Sequence, residues 1–355
     1  MAARWVDKNI AAMKKMIFTR YGKIAAMALL GLSCSTERIK EPPQPVAATT
    51  TLVLSPITRT DAMATNDELA IKSIRLVVFR SQSQPGGGGG MVVNQFKNSD
   101  LATPFSVTVP VGKIDIYLIT NELLGWNLGA TDLTTATLKS KSFDWVNYPV
   151  VNTSYPIPMF RSYEGVSIDQ DGNMAWNGAP FTLSGTGSAS VERTIAKVLV
   201  NIKFDNGGLP LTITSLNIKN IPRISWLYPT RNEYIATTDF FDGANVSPVI
   251  DSGENLLAGK PNRTYTCYLP EYIITQPYWR TNINLIAANR SFSIVLGDGM
   301  GTHDKAYMDA TNDLNALCIT RNTCYIVNVL SITGDMPVVF SAAVTDWDKT
   351  VVPVQ

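Results

Sequence analysis

The feature that most limits how this chain can fold is a series of short runs in which apolar and polar residues alternate. Residues 104–110 and 113–121 both alternate in this way, and similar runs recur along the chain. A period of two residues is typical of a β-strand with one buried face. The runs follow each other at intervals of roughly 8–20 residues, separated by Gly, Pro and Asn, which is typical of β-sandwiches. We therefore predict an all-β fold with minor α content.

The strand prediction extends over most of the chain, and one segment is a candidate for a helix. The predicted strands are residues 51–58, 71–80, 104–110, 113–121, 191–204, 211–221, 265–269, 282–287, 291–296, 324–332, 337–345 and 351–355. Residues 166–176 predict a hairpin whose turn lies at residues 169–172. Residues 122–141 are the best helical candidate, although Gly125 and Gly129 weaken that pattern.

The first 33 residues are interpreted as an export signal, and Met13 is the predicted true start. Basic residues precede the apolar run 24–32, which is shorter than the ~20 residues that a membrane span needs. Small residues and then Cys34 follow, the order found in bacterial lipoprotein signals, although Gly31 stands where Leu is usual. We predict that Cys34 is lipidated. An ordinary signal peptide with an unmodified cysteine is the alternative.

The segment after the signal predicts a spacer followed by two domains. Residues 34–50 are polar and contain Pro, which favours a lipidated flexible spacer. About 320 residues follow the signal, a length that suggests two domains. We predict an N-terminal β-sandwich over residues 51–190 and a C-terminal one over residues 191–355. The Gly and Ser content of residues 181–190 is suitable for a boundary.

Composition speaks against several functional classes. Lys and Arg number 30 and Asp and Glu number 29, so the basic excess that nucleic-acid binding needs is missing. The single histidine, His303, excludes multi-histidine metal sites, and it is the one base available to a Ser-His-Asp or Cys-His mechanism. His303 lies in a Gly-rich stretch that predicts a surface loop. We predict no catalytic residues, no metal and no cofactor, although a pair of acids brought together by folding cannot be seen in a sequence.

Four further sets of residues leave alternatives open. Cys267, Cys318 and Cys324 predict either one disulfide or small packing residues. The Asp-rich turn at 169–172 resembles a calcium loop but lacks the later acidic ligand, so a hairpin turn is favoured. Residues 86–90 are all glycine and predict a loop tip rather than a phosphate loop, because no lysine or helix follows. Four tryptophans line either a glycan-binding face or the core: Trp126, Trp145, Trp226 and Trp279.

Short motifs along nearly the whole chain form an ordered set. They are Cys34, residues 74–79 (IRLVVF), 112–121 (GKIDIYLITN), 157–159 (IPM), 191–198 (VERTIAKV), 321–325 (RNTCY) and Trp347. Each motif is weak alone, but together and in this order they resemble the Bacteroidales major fimbrial subunit family, the FimA-type fimbrillins. The resemblance implies two transthyretin-like β-sandwich domains in tandem.

The resemblance also implies assembly by strand exchange. Residues 51–59 would be a removable first strand, and a trypsin-like protease would cut between Arg59 and Thr60. The emptied groove would then accept the C-terminal segment 341–355 of another subunit. The donor residues of that segment would be Val344, Trp347, Val351 and Val352. Pro353 departs from this pattern because proline cannot donate to a strand ladder.

The leading interpretation is a structural, non-enzymatic subunit of a bacterial surface fimbria that supports adhesion. Its partners would be copies of itself or related subunits, the processing protease and, through the lipid, the outer membrane before processing. A host or bacterial surface ligand is left open. A stalk subunit is the first choice, and a fimbrial tip or anchor subunit is the near alternative. A lipid-anchored glycan-binding surface protein is the alternative from a different class.

Overall fold

The structure is a computed structural model, and it describes most of the chain after residue 48. The described residues are 49–54, 57–60, 66–82, 89–101, 103–149, 151–182, 191–202, 211–229, 237–243, 254–256, 263–287, 290–331, 339–347 and 350–353. The chain divides into residues 1–47 and residues 48–355, and every described residue belongs to the second unit. The predicted signal, Cys34 and nearly all of the predicted spacer lie outside the described residues.

Short strands make up most of the described chain, and the helices are brief. The strands are β1 (Thr49–Leu54), β2 (Ile57–Thr60), β3 (Ile74–Arg80), β4 (Met91–Lys97), β5 (Phe105–Pro110), β6 (Gly112–Thr120), β7 (Ser142–Asp144), β8 (Met159–Ile168), β9 (Met174–Trp176), β10 (Ala179–Phe181), β11 (Glu192–Arg193), β12 (Ile195–Ile202), β13 (Leu211–Lys219), β14 (Ile221–Pro222), β15 (Ile224–Trp226), β16 (Phe240–Phe241), β17 (Glu254–Leu256), β18 (Arg263–Pro270), β19 (Asn282–Ala287), β20 (Arg290–Val295), β21 (Thr323–Ser331), β22 (Val339–Asp346) and β23 (Thr350–Pro353). The helices are α1 (Asn66–Leu69), α2 (Thr135–Lys139), α3 (Lys305–Ala310), α4 (Leu314–Leu317) and the 3-10 turns η1 (Leu124–Trp126), η2 (Thr237–Asp239), η3 (Pro277–Trp279) and η4 (Asp298–Gly301). The predicted all-β class is therefore confirmed.

The first half of the described chain is built on one antiparallel sheet. Its strand order is β10-β9-β8-β6-β3-β4, with β11 paired on β8. β1 and β5 form a separate two-stranded sheet. Apolar residues of β3, β6 and β8 share one core with Phe105, Val107 and Val109 of β5. The β5 strand therefore packs on one face of the larger sheet.

The second half packs two four-stranded sheets face to face. One has the order β18-β12-β21-β22 and the other β17-β13-β19-β20. Alternate residues of both sheets form a common core, as expected for a sandwich. Strands β12 and β21 run parallel, and every other strand pair among the described residues is antiparallel. Parallel neighbours require a long crossover, and here the crossover contains the entire second sheet.

A third apolar cluster joins the two halves. It includes Val77 and Phe79 from β3 and also Ile195, Cys324 and Trp347 from the second half. Because the remaining apolar residues of β3 belong to the first core, both faces of this strand are covered. This double burial explains why β3 is almost continuously apolar instead of alternating.

The predicted helix over residues 122–141 is wrong. The segment contains η1 and α2, separated by an irregular stretch. Asn127 ends η1 in the left-handed conformation, with φ +49°, and Gly129 follows. Thr134 then caps α2 by accepting a hydrogen bond from the Thr137 backbone N–H at 3.1 Å. Asn127 ends the first short helix and Thr134 begins the second, so a segment that composition suggested was one helix is divided in two.

Other predictions agree with the structure or remain open. The hairpin at residues 166–176 is confirmed, because β8 and β9 pair next to the predicted turn. The domain limits at residues 190 and 191 stay a prediction, since residues 183–190 are outside the described part. None of the helices that the structure describes has the length and apolar character needed to cross a lipid bilayer.

Candidate functional site

The N-terminal strand β1 pairs along the whole of β5. The ladder is antiparallel and joins Thr50 to Val109, Leu52 to Val107, and Leu54 to Phe105. The three β5 partners in these pairs are all buried. We use the name β5 edge for the backbone edge of Phe105–Pro110 that β1 occupies. Because β5 has no other strand neighbour in the described sheets, β1 alone satisfies its ladder.

The second part of the predicted removable strand has a different partner. After Ser55 and Pro56, which lie outside the described residues, β2 pairs with the C-terminal strand β23. Arg59 pairs with Val351, and Thr60 pairs with Thr350. The structure therefore brings the predicted processing site and the end of the predicted donor segment together in one two-stranded ladder.

The chain immediately before β23 is fixed by Trp347. This is the largest fully buried side chain among the described residues. Its ring stacks on Tyr268, with centroids 5.8 Å apart and planes at 17°. The guanidinium carbon of Arg193 lies 4.5 Å from the centroid of the same ring. The backbone N–H of Trp347 donates to the Asn322 carbonyl at 2.8 Å.

A buried carboxylate balances the cations around Trp347. Glu68, on α1, is fully buried and accepts from the Lys197 Nζ at 2.8 and 2.9 Å through its two oxygens. The Tyr268 hydroxyl also donates to Glu68. Burial, and then the adjacent Glu68 charge, raise the pKa of Tyr268, so its hydroxyl remains a donor. We call Trp347, Tyr268, Arg193, Lys197 and Glu68 the Trp347 anchor.

Three of the motif segments meet at this anchor. Arg193 and Lys197 come from the motif at 191–198, Asn322 comes from the motif at 321–325, and Trp347 is itself a motif residue. Asn322 has φ +54° and its side-chain oxygen faces Arg193 at 3.4–3.5 Å. No sequence pattern pointed to Glu68, because it lies in a polar stretch far from its partners along the chain.

Two of the four predicted donor residues, Val344 and Trp347, lie before residue 348. Val344 is in β22, where it pairs with Tyr325 of β21. It is half-buried and packs against the core of the second half. Trp347 is buried in the anchor. Val351 and Val352 lie in β23, beyond the anchor. We call residues 348–355 the C-terminal arm.

The four tryptophans considered for glycan binding do not form one exposed face. Trp126 is buried and contacts Phe143, with ring centroids 6.0 Å apart. Trp145 stacks on Tyr148. Trp279 is half-buried and packs against the core of the second half. Trp226 lies in β15, which pairs with β7. These rings therefore belong mainly to the packing of two different clusters.

His303 and Asp169, which were considered for catalysis and for calcium binding, both take part in local structural contacts. His303 is exposed, and its ring stacks on Tyr307 at 3.8 Å. The Asp169 side chain accepts from the backbone N–H groups of Asp171 and Asn173 at 2.9 and 2.8 Å, and these bonds close the hairpin turn. Hydrogen bonds from Asn173 lower the pKa of Asp169. Among the described residues, no group of three or more His, Cys, Asp or Glu could hold a metal ion.

The three cysteines after Cys34 are buried packing residues. Cys267 and Cys318 belong to the core of the second half, and Cys324 belongs to the cluster between the halves. The Cys318 thiol donates to the Leu314 carbonyl at 3.0 Å. Burial raises the pKa of the Cys267 thiol, which keeps it protonated and unreactive.

Comparison with solved structures first defines a class of fold. The described architecture is found in bacterial fimbrial and cell-adhesion proteins of the Bacteroidales. No protein-family model matches the sequence, and no curated protein sequence matches it either. The likeness is therefore one of fold.

Particular structures then show how close that likeness is. The tip fimbrial protein Mfa3 from Porphyromonas gingivalis, solved with a C-terminal truncation, superposes with a TM-score of 0.62 at 16% identity, covering 84% of this chain and 100% of that one. A candidate cell adhesion protein from Bacteroides eggerthii gives a TM-score of 0.51 at 16% identity, covering 85% and 96%. The fimbrilin FimA from Porphyromonas gingivalis gives a TM-score of 0.47 at 11% identity, covering 84% and 98%.

Proposed function

We propose that this protein is a structural subunit of a bacterial surface fimbria and that it polymerises by strand exchange. The observation that carries the proposal is the β1–β5 ladder: a strand from the extreme N-terminal part of the described chain satisfies the edge of a core strand. The fold shared with a tip fimbrial protein supports the same role.

Strand exchange requires an edge that is stable only when filled. Without β1, the β5 edge would present unpaired N–H and C=O groups beside an apolar core. Each unmade backbone hydrogen bond costs about 1 kcal/mol or more when it cannot reach water. An exposed strand edge of this kind readily accepts another strand. Head-to-tail addition that does not close on itself makes a filament.

The C-terminal arm is a suitable replacement for β1. Residues 350, 352 and 354 are Thr, Val and Val, and residues 50, 52 and 54 of β1 are Thr, Leu and Leu. In the same direction, Val352 would therefore stand opposite Val107, and Val354 opposite Phe105. Pro353 would occupy the position of Val53. The arm of eight residues can extend about 26 Å, which is enough to pair along the whole of β5.

We further propose that the donated segment is shorter than residues 341–355. The buried Trp347 and its stacking on Tyr268 hold the chain in the core. Removing a fully buried tryptophan from a core costs about 3–5 kcal/mol. Release of the arm after Trp347 avoids this cost, whereas release of β22 as a whole does not.

Processing would make the lipid on Cys34 a temporary attachment. A cut between Arg59 and Thr60 by a trypsin-like protease would remove Cys34 together with β1. The precursor would be held at the outer membrane by its lipid, and the mature subunit would be held in the fimbrium by its neighbours. A subunit that is never cut would stay anchored at the base.

The position in the filament separates two versions of the proposal. The apolar C-terminal arm favours a stalk subunit, because a tip subunit has no strand to donate. The name of Mfa3, a tip fimbrial protein, favours the tip. A lipid-anchored glycan-binding protein is a weaker alternative, since the tryptophans that suggested it are mostly packed. Nothing in these surroundings favours an enzyme.

The proposal is tested by limited proteolysis of the purified precursor. Treatment with trypsin should give one cut after Arg59 and then a ladder of polymers that resists mild denaturant. Arg59→Gln should abolish both the cut and the ladder. Arg80→Gln, which removes an exposed arginine at the end of β3, is the matched control and should change neither. Cut protein that stays monomeric would exclude the stalk subunit.

A further inference from the structure

We infer that the precursor is closed at both of its polymerisation sites and that one cut opens both. β1 occupies the β5 edge, and β2 holds the C-terminal arm through β23. All of β1 and the first three residues of β2 belong to the segment that a cut after Arg59 separates from the rest of the chain. This inference rests on the proposed function and adds to it a control on the donor strand.

The register of the β2–β23 ladder shows how a cut would open it. Its four pairs are Ile57 with Pro353, Thr58 with Val352, Arg59 with Val351, and Thr60 with Thr350. Cleavage after Arg59 assigns the first three of these β2 residues to the departing fragment. One pair, at Thr60, remains on the subunit. The arm therefore loses almost its entire ladder in the same event that empties the β5 edge.

The ladder is also of a kind that cannot survive this loss. β2 and β23 form a two-stranded sheet with no further strand on either side in the described chain. Isolated two-stranded ribbons are marginally stable at best in water. Once three of four pairs leave, a single residue pair cannot keep the arm in place.

The Trp347 anchor limits the opening to the arm. Trp347 is buried, and its backbone N–H bonds to Asn322 at 2.8 Å. Glu68, in the same anchor, lies on α1, which stays with the subunit after the cut. The arm would therefore swing from a fixed point while β22 remains in its sheet. A precursor closed in this way has neither a free edge nor a free donor, so it cannot add to a filament before processing.

The test is hydrogen exchange of the peptide covering residues 348–355. In the intact precursor the arm amides should be protected relative to an unstructured peptide of the same sequence. The precursor is then cut with trypsin, and the protease is stopped with an inhibitor. The cut protein is divided into two samples, and each sample receives one synthetic peptide. One copies residues 49–56, which include β1 only, and the other copies residues 49–59, which include both β1 and most of β2.

The two peptides separate the inference from the function on which it rests. Both should fill the β5 edge and stop polymer growth. With the shorter peptide the arm should exchange at the rate of the unstructured reference, and with the longer one protection should return. Equal arm exchange with both peptides, or an unprotected arm in the precursor, would overturn the inference. Failure of both peptides to bind, with no polymer formed by untreated cut protein, would instead refute the proposed function.

A disulfide between two paired positions gives an independent measurement. Thr58→Cys with Val352→Cys joins residues that are directly opposite in the ladder. The oxidised precursor should be cut after Arg59 but stay monomeric, and a reducing agent should start polymerisation. Thr58→Cys alone is the control and should polymerise with or without reducing agent. Failure of the disulfide to form, or polymerisation while it is intact, would contradict the closed arrangement.

Discussion

Replacing Trp347 by alanine is the sharpest test of the anchor. The side chain is fully buried, stacks on Tyr268 and lies 4.5 Å beneath the Arg193 guanidinium. Truncation of a buried tryptophan costs about 3–5 kcal/mol. A desolvated cation–π contact contributes about 2 kcal/mol, and its loss places the expected cost of this truncation at the upper end of that range. We therefore expect Trp347→Ala to lower the free energy of unfolding of the precursor by about 4–5 kcal/mol.

The assay is urea unfolding followed by far-ultraviolet circular dichroism, which does not depend on tryptophan emission. With a denaturant slope of about 3 kcal/mol/M, the midpoint should fall by about 1.5 M. Tyr278→Ala, at an aromatic residue that is 64% exposed, is the control and should change stability by less than about 0.5 kcal/mol. A loss below about 1 kcal/mol in Trp347→Ala would refute the anchor and favour Trp347 as a donated residue.

Substitutions at Asn121, Gly299 and Asp298 test the fold by denaturant unfolding. Asn121 has φ +54°, and its side chain forms hydrogen bonds with Lys72, Ala70 and Ile157. Asn121→Ala should lower the free energy of unfolding by about 3 kcal/mol, and Asn121→Gly, which relieves the backbone strain, should lower it by about 1 kcal/mol less. Equal losses in the two variants would contradict this account. A Cβ at Gly299 would lie 2.7 Å from that of Ala316, so Gly299→Ala should cost about 1–3 kcal/mol, whereas Gly125→Ala, which meets no described atom within 4 Å, should be neutral. Burial raises the pKa of Asp298 above its ordinary 3.8, so its protonated form stabilises the fold, and this contribution is lost as pH rises through the raised pKa. The stability of Asp298→Asn relative to the parent protein should therefore increase between pH 4 and pH 7. A stability difference that does not change with pH would contradict the raised pKa.

The strands could be predicted because their signal is local. Where one face is buried, as in β5, residues alternate between core and solvent, and the period of two is visible directly. β4 was missed because its polar residues, with Asn94 and Gln95 in succession, break the alternation at an edge strand. The helix over residues 122–141 was predicted wrongly because a single left-handed residue, Asn127, outweighs the composition around it.

The candidate site depends on contacts that no local pattern records. Glu68 and Lys197 are 129 positions apart, and no local pattern pairs an acid in a polar stretch with a lysine in a distant strand. Trp347 stands between Asp346 and Asp348, so its surroundings look exposed although its ring is in the core. The resemblance to fimbrial subunits pointed to residues 51–59 and 341–355 as the segments involved in assembly. It could not supply the β2–β23 pairing, which joins residues nearly the full length of the chain apart.

The central claim, that the arm of one subunit replaces β1 on the β5 edge of the next, is tested most directly by cross-linking. Val107→Cys and Val352→Cys are introduced into separate preparations, which are mixed, cut with trypsin and oxidised. The pattern shared by residues 50–54 and 350–354 predicts an intermolecular disulfide between positions 107 and 352. Thr108→Cys, at the neighbouring and exposed position of β5, serves as the register control and should cross-link much less. A disulfide at position 108 but not 107 would contradict the register, and polymers without either cross-link would contradict the claim itself.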